Sequence, residues 1–485
     1  MKKVLLIAFY FNQTNEIASK RLRGLAKYLP QFGWEPIVIV PKSNLEYENS
    51  FENSFESHLK NSFKNSNFKV IETDYEYMTD RWVNKFKNKT NKTKKDTAIK
   101  SKNEIKEFNK DNFNNQNKII SKNNSETTSK TTSETTSKTT SETTSKTTSK
   151  TISKTISKVI SIAGEIFAYP DGMKYWYEPA IEVSKETIEI NNVEAIISSS
   201  WPVTSHIIAK DLKKEYNLKW IADLRDLWNL NPYIKHTFIR NYFEKKLEIR
   251  TFEYADVLTT TTELASKKLK ELHPQKKICT VMSGYDIEDI TNNNTPKNQE
   301  KLNFTYAGSL YGGKRDPKLL FKGISELIHE NKINPLLLSL DFYGDNFGLK
   351  ETATEYGIED LVNIHGTIPH EEVLKKQKES KALLLLSWNN KKEEMFLPGK
   401  IYEYLAAKRP VLSIGYKEGS LKDLIEKTEI GYHVSTLEET KNSIMKFYNN
   451  FNENKVLRYN GNSEVNKYSI ISTAQKFGSI LDSIK

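Results

Sequence analysis

Glu393-Glu394-Met395-Phe396-Leu397-Pro398-Gly399-Lys400-Ile401-Tyr402-Glu403-Tyr404-Leu405-Ala406-Ala407-Lys408-Arg409-Pro410-Val411-Leu412-Ser413-Ile414-Gly415 reads as a loop, a helix and a buried strand. Pro398 and Gly399 break what precedes them and open a helix at Lys400. Ile401, Tyr404 and Leu405 share one helical face. Lys408-Arg409-Pro410 closes the helix, and the next four residues form a short apolar strand. A helix that starts at a Pro-Gly turn presents unpaired backbone N–H groups and the positive end of its dipole, which together suit an anion. Lys400 adds a full charge in the first turn, and Glu403 projects from the same side. Donors and a cation for phosphate, with a carboxylate beside them for hydroxyls, describe a pocket for a sugar nucleotide. Spacing alone favours a plainer reading, a surface helix with a weak Lys400–Glu403 pair.

Outward from this stretch, apolar runs alternate with amphipathic helical patterns. Residues 4–11, 36–40, 195–199, 220–222 and 257–260 read as buried strands, with helices expected over 18–31, 179–191, 204–216 and 239–254. A second set begins at Phe304 and runs through 336–343, 362–365, 382–387 and 411–414. Strand–helix alternation predicts an α/β protein of parallel sheets covered on both faces. Residues 292–297 are the polar link between the sets. A chain of 485 residues has room for two or three domains. We expect two doubly wound domains facing across a cleft at the carboxyl ends of their strands.

The charge is local. Residues 84–158 carry 18 lysines against 7 acidic residues, a net +11 that equals the net charge of the whole chain. The folded body is therefore near neutral, which removes the argument for a nucleic-acid-binding surface. Within this stretch Ser-Glu-Thr-Thr-Ser-Lys-Thr-Thr repeats from Ser125, Ser133 and Ser141. It has too few apolar groups to offset chain entropy and reads as a disordered insertion. A solvated tether without a partner and peripheral contact with anionic lipid both stand open. So do two readings of the apolar residues 159–167, at a membrane surface or packed on the first domain.

Cys279 is the only cysteine, which excludes an intramolecular disulfide and suits a reducing compartment. Residues 1–11 pair two lysines with an apolar run but lack a clear cleavage site, so they read as a first buried strand. We expect a cytoplasmic protein, with the inner face of the cell membrane as its one place of peripheral contact. Residues 12–23 contain no glycine, against a dinucleotide-binding turn. The 8 histidines show no metal-ligand spacing, and no Gly-x-Ser-x-Gly elbow occurs.

Residues 393–415 resemble the donor-site signature of retaining glycosyltransferases of the GT-B fold, family 4, with the pattern Pro-x-Lys-Ile/Leu-x-Glu-Tyr-Leu-Ala-x-x-Arg/Lys-Pro-Val. Further stretches are similar in the expected order. These are 304–311 with Lys314-Arg315-Asp316-Pro317, then 340–345 and 362–369. In the first half they are 33–41, 196–202 and 222–228. The resemblance implies two Rossmann-like domains. An acceptor domain spans 1–290, with 84–158 inserted, and a nucleotide-sugar domain spans 300–465. A last helix in 466–485 returns to the first domain.

The resemblance further implies transfer of a sugar from a nucleoside-diphosphate sugar to a glycan or lipid-linked acceptor, with retention. It needs no cofactor or metal and belongs to cell-surface polysaccharide assembly in the cell envelope. Negative charge grows on the departing diphosphate, so fixed cations and N–H donors there lower the barrier. Lys314, Arg315 and Lys400 are the candidate cations, with N–H groups of Gly308, Gly399 and Lys400. Arg315 suits bidentate phosphate binding, and a surface role beside Asp316 is its alternative. Glu403 would bind the ribose hydroxyls, and the turn from Gly366 to Ile368 the base. The family's first glutamate falls at Met395, which cannot accept those bonds; Glu394 is the nearest substitute. On the acceptor side, Asp223, Arg225 and Asp226 follow a predicted strand, with Ser19, Arg21 and Asp171 as further candidates and Asp226 as a catalytic one. A structural Arg–Asp pair is the other reading. Two alternatives remain, a GT-B nucleotide-sugar epimerase using His365 and His206, and a non-catalytic scaffold.

Overall fold

The computed structural model describes residues 1–12, 17–42, 68–75, 164–165, 167–290 and 300–485. The expected insertion 84–158 and the link 292–297 lie outside the described residues. The chain forms two compact units, Met1–Tyr75 with Trp176–Lys485, and Glu76–Tyr175. Both sheets belong to the first unit.

The first sheet has seven strands: β1 (Lys2–Ile7), β2 (Trp34–Pro41), β3 (Lys69–Thr73), β4 (Ala195–Ser199), β5 (Lys219–Leu224), β6 (Val257–Thr260) and β7 (Lys277–Thr280). Their order is β3-β2-β1-β4-β5-β6-β7, and every pairing is parallel. The second has six: β8 (Leu302–Ala307), β9 (Leu338–Tyr343), β10 (Val362–Gly366), β11 (Ala382–Leu386), β12 (Val411–Ile414) and β13 (Gly431–Val434). Their order is β10-β9-β8-β11-β12-β13, again all parallel. Each sheet winds outward from its middle, so each has one switch point, between β1 and β4 and between β8 and β11.

Around the first sheet run α1 (Ile17–Tyr28), α2 (Tyr177–Asn191), α3 (Thr204–Tyr216), α4 (Phe238–Phe252) and α5 (Glu263–Leu272). Around the second run α6 (Lys318–His329), α7 (Leu349–Glu355), α8 (His370–Glu379), α9 (Lys400–Ala407), α10 (Ser420–Thr428) and α11 (Leu437–Asn454). The central strands coincide with the apolar runs because they are covered on both faces. β3, β7 and β13 were not foreseen. All three are sheet edges, and each is largely half-buried or exposed, so their side chains carry no continuous apolar signal.

The last helix, α12 (Ile470–Ser483), packs on the first sheet. Ile470, Ala474, Phe477 and Leu481 join one buried cluster with Leu22, Leu25 and Ala26 of α1. A Cβ on Gly24 would fall 2.0 Å from Ile470 Cγ1, so glycine lets the two helices close. The chain passes between the sheets along paired backbone bonds, Tyr285 N–H to Tyr468 O and Ile470 N–H to Tyr285 O, both 2.9 Å.

Arg21 of α1 and Asp223 at the end of β5 form a bidentate pair, at 3.0 Å from Nε and 2.9 Å from Nη2. Arg21 also donates to Val281 O and Ser283 Oγ, while Thr259 and Ser199 donate to Asp223. Both side chains are essentially inaccessible, and Ser19 is fully buried. Ser19, Arg21 and Asp223, expected as acceptor-side candidates, thus lie in the interior, and Arg21 and Asp223 form a structural Arg–Asp pair. Arg21 reaches from α1 over the end of β5, so the pair ties that helix to the sheet. Burial alone would raise the Asp223 pKa; the Arg21 charge and the hydrogen bonds from Arg21, Thr259 and Ser199 outweigh it and hold it below the usual carboxylate range.

Two stability measurements follow. Asp223→Ala strands a buried guanidinium and should cost about 3–5 kcal/mol in urea unfolding. Because the folded-state pKa is depressed, the pair's contribution is complete above the unfolded carboxylate pKa of about 3.9 and fades as pH falls through the folded value. The gap between wild type and variant should therefore narrow only in acid. Phe477→Ala should cost about 3–5 kcal/mol by opening a cavity between α12 and α1.

Candidate active site

The second sheet's switch point lies where β8 and β11 end, at Gly308 and Ser387, and α9 starts there through the Pro398-Gly399 turn. Ligands of doubly wound sheets bind in such a crevice. Ile401, Tyr404 and Leu405 are buried against the sheet, which fixes the helix start and points Lys400 at the end of β8. The Lys400 Nζ is buried with no hydrogen-bond partner among the described residues. It lies 3.9 Å from the Tyr306 ring centroid, a cation–π contact. A Cβ on Gly308, whose φ is +130°, would come within 2.3 Å of it, so only glycine admits the ammonium here. Burial, and then the nearby Arg315 charge, pull the Lys400 pKa well below that of a free lysine. A buried ammonium with no protein acceptor is costly, an arrangement that points to an anionic ligand.

The loop after β8 turns through Tyr311, Gly312 and Gly313, all at positive φ. Arg315 stacks over Tyr311 at 4.2 Å and donates to Ser309 O at 3.4 Å. Its alternative role beside Asp316 is not what the structure shows, since Asp316 accepts from the Lys318 N–H at 2.9 Å. Lys314 lies 5.2 Å from the Trp388 ring centroid. Asp345 accepts the Leu310 N–H at 3.0 and 3.1 Å and pins the loop. Gly399 is the N-cap of α9 and Lys400 its first residue, and Gly308, Arg315 and Lys400 come together around its start.

Glu403 lies one turn deeper, held by Lys20 of α1 at 2.9 Å and by Gln377 at 3.2 Å, with His370 Nε2 at 3.7 Å. Burial opposes its ionisation, but Lys20, His370 and Gln377 outweigh that and keep its pKa below the usual glutamate value. The second sheet's neighbouring strands end nearby. Gly366, at φ +71°, accepts the Gly344 N–H at 2.8 Å, and Ile368 is half-buried. His365 stacks on Tyr343 at 4.4 Å and meets Asp341 at 3.0 Å.

The first-glutamate position resolves into three separate fates. Met395 is buried, and its carbonyl accepts from Thr262 at 2.8 Å. Glu394 turns to Lys268 of α5 at 2.5 Å. Glu393 meets the Tyr233 hydroxyl and, at 3.4 Å, Ser387 at the end of β11. Both glutamates thus meet residues of the first domain, and Glu393 also touches the end of β11 at the switch point.

On the first sheet's side, Arg225 Nη2 pairs with Asp226 at 2.6 Å and Nε donates to Ser200 O at 3.3 Å, with both side chains partly exposed. Asp171 belongs to the other unit, where its carboxylate accepts the Met173 N–H at 2.8 Å. His206 lies in the first domain's interior, 2.8 Å from Ser198 Oγ, and burial pushes its pKa down to about 3. It does not converge with His365. Lys20, Gln377, His370, Tyr233 and Lys268 had no signal in the sequence, because each is brought to the site from a distant element. Asp345 lay at the end of a stretch already singled out.

No protein-family profile matches the chain, and comparison with curated proteins finds no match. Solved structures do resemble it. A glycosyltransferase from Rickettsia africae is similar at 13% identity and a TM-score of 0.57, covering 100% of this chain and 98% of that one. Sucrose-phosphate synthase from Thermosynechococcus elongatus is similar at 12% identity and 0.55, covering 99% and 98%. Anabaena HepE, solved with UDP and glucose, is similar at 10% identity and 0.53, over 100% of both chains. With two parallel sheets each wound about one switch point, these likenesses show that the chain has the GT-B fold.

Proposed function

We propose that this protein transfers a glycosyl group from a nucleoside-diphosphate sugar to an acceptor hydroxyl, with retention at the anomeric carbon, in the assembly of a cell-surface polysaccharide or glycan. The observation that carries this reading is the buried, unpartnered Lys400 ammonium at the start of α9, beside Gly308 and Arg315. The bond from the anomeric carbon to the diphosphate oxygen breaks with its electron pair leaving on the diphosphate, while the acceptor oxygen bonds that carbon and gives its proton to the departing diphosphate oxygen on the same face. Lys400, Arg315 and Lys314, with N–H groups of Gly308, Gly399 and Lys400, would meet that charge without a metal. Glu403 would receive the ribose hydroxyls in place of Lys20 and Gln377, and the Gly366–Ile368 turn would take the base. Glu393, nearer the switch point than Glu394, is a candidate for the sugar hydroxyls. Arg225 and Asp226 remain the acceptor-side candidates, with Asp226 catalytic. The nucleotide-bound HepE of the same fold supports a nucleotide-sugar donor.

Calorimetry with UDP, other nucleoside diphosphates and their sugars tests the donor site. Lys400→Met should weaken binding of the preferred nucleotide by about ten- to a hundredfold, the usual worth of a charged hydrogen bond. The same change should leave or raise thermal stability, because it removes a buried charge. Unchanged binding in Lys400→Met would refute the assignment. Phosphate bound to Lys400 raises its depressed pKa, so binding should take up protons at pH values between the unliganded and the liganded pKa. Affinity should then fall as pH rises through that range, with a buffer-dependent enthalpy that Lys400→Met abolishes.

A further inference from the structure

Helix α4 is built inside out. Its buried positions are Arg240, Glu244, Glu248, Thr251 and Phe252. Four of the five are polar, and three of them, Arg240, Glu244 and Glu248, make hydrogen bonds inside the protein. Arg240 pairs with Glu244 at 2.8 Å, Trp228 Nε1 donates to Glu244 at 2.6 Å, and the Asn229 N–H donates to Glu248 at 2.9 Å. The opposite face carries Phe238, 87% exposed, Ile239, 68%, and Tyr242, 57%, with Ile249 two further turns along. Apolar side chains of this size, grouped on one exposed face, mark an interaction surface.

Cations surround that face. Lys235, Lys245, Lys246 and Arg250 are exposed on or beside α4, and Glu253 is the exposed carboxylate there. Lys246 Nζ lies 5.9 Å from the Tyr242 ring centroid, so charge and aromatic surface are contiguous. Exposed aromatic and aliphatic groups with flanking lysines on one helix fit the boundary between lipid headgroups and acyl chains. The segment entering α4 carries Tyr233, whose hydroxyl meets Glu393 at the candidate site, so the start of α4 follows directly on that site.

We propose that α4 is a docking surface for an anionic lipid bilayer, with Phe238, Ile239 and Tyr242 inserted at the headgroup level and Lys235, Lys245, Lys246 and Arg250 against the lipid phosphates. An acceptor carried on lipid would then be presented at the mouth of the cleft. The docking itself is independent of the donor-site reading, because it requires no nucleotide.

The test is co-sedimentation of the full chain with vesicles of phosphatidylcholine alone and of phosphatidylcholine with phosphatidylglycerol. Binding to the anionic vesicles is expected, falling about tenfold or more in Lys245→Glu with Lys246→Glu. It should be lost in Phe238→Ser with Ile239→Asn and Tyr242→Ser. These positions are exposed, so unchanged circular dichroism and an unchanged thermal midpoint check that the variants fold. Wild-type binding retained in the triple variant would overturn the proposal and assign the contact to the basic 84–158 stretch or another surface. Failure of the wild type to bind either vesicle would also overturn it. So would a concentration-dependent dimer, seen by light scattering and abolished by the triple variant, since the face would then pair two copies of this chain.

Discussion

A parallel sheet wound outward from its middle leaves one gap between its crossovers, at the carboxyl ends of the two strands where the winding reverses. Both sheets of this protein have that gap, and much of the arrangement described above depends on it. Segments that follow strands of the first sheet meet segments that follow strands of the second. Lys20 reaches Glu403, Thr262 reaches the Met395 carbonyl, Lys268 reaches Glu394 and Tyr233 reaches Glu393. α12 secures the pairing by leaving the second sheet to bury its apolar face on the first. The Arg21–Asp223 pair then locks α1 over the first sheet.

Within this frame, charge is distributed by environment. Arg21 and Asp223 are buried and satisfied by one another and by Val281, Ser283, Thr259 and Ser199. The Lys400 Nζ is buried against an aromatic ring with no acceptor among the described residues, so its donors are uncommitted, and burial with the Arg315 charge depresses its pKa. Glu403 lies between these cases, ionised but held by Lys20 and Gln377. On the proposed reading a ribose there would exchange with a lysine from the other sheet, which would couple donor binding to the contact between the sheets.

The sequence is most legible where burial is complete. β4, β6 and β12, and helix α3, match their apolar patterns to the residue because both sides of each are determined by packing. The edge strands β3, β7 and β13 were invisible, since a half-exposed strand needs no continuous apolar run. The α9 signature located Lys400 and Glu403 because a Pro-Gly stop, a helix face and a strand are all local. Arg21 and Asp223 stayed ambiguous for the opposite reason: a charge following a strand looks the same in sequence whether it opens to a cleft or pairs with a residue some two hundred positions away. The inverted face of α4 was hidden likewise, because periodicity shows two faces of a helix without saying which is inward.

The central claim is that the Lys400 ammonium and the start of α9 are the diphosphate site. A crystal structure of the protein with the nucleoside diphosphate it binds tests this most directly. The account predicts the distal phosphate within hydrogen-bonding distance of Lys400 Nζ and the backbone N–H groups at the start of α9, with the Glu403 carboxylate on the ribose hydroxyls. A nucleotide bound elsewhere, with Lys400 still enclosed against Tyr306 and Glu403 still held by Lys20, would contradict it.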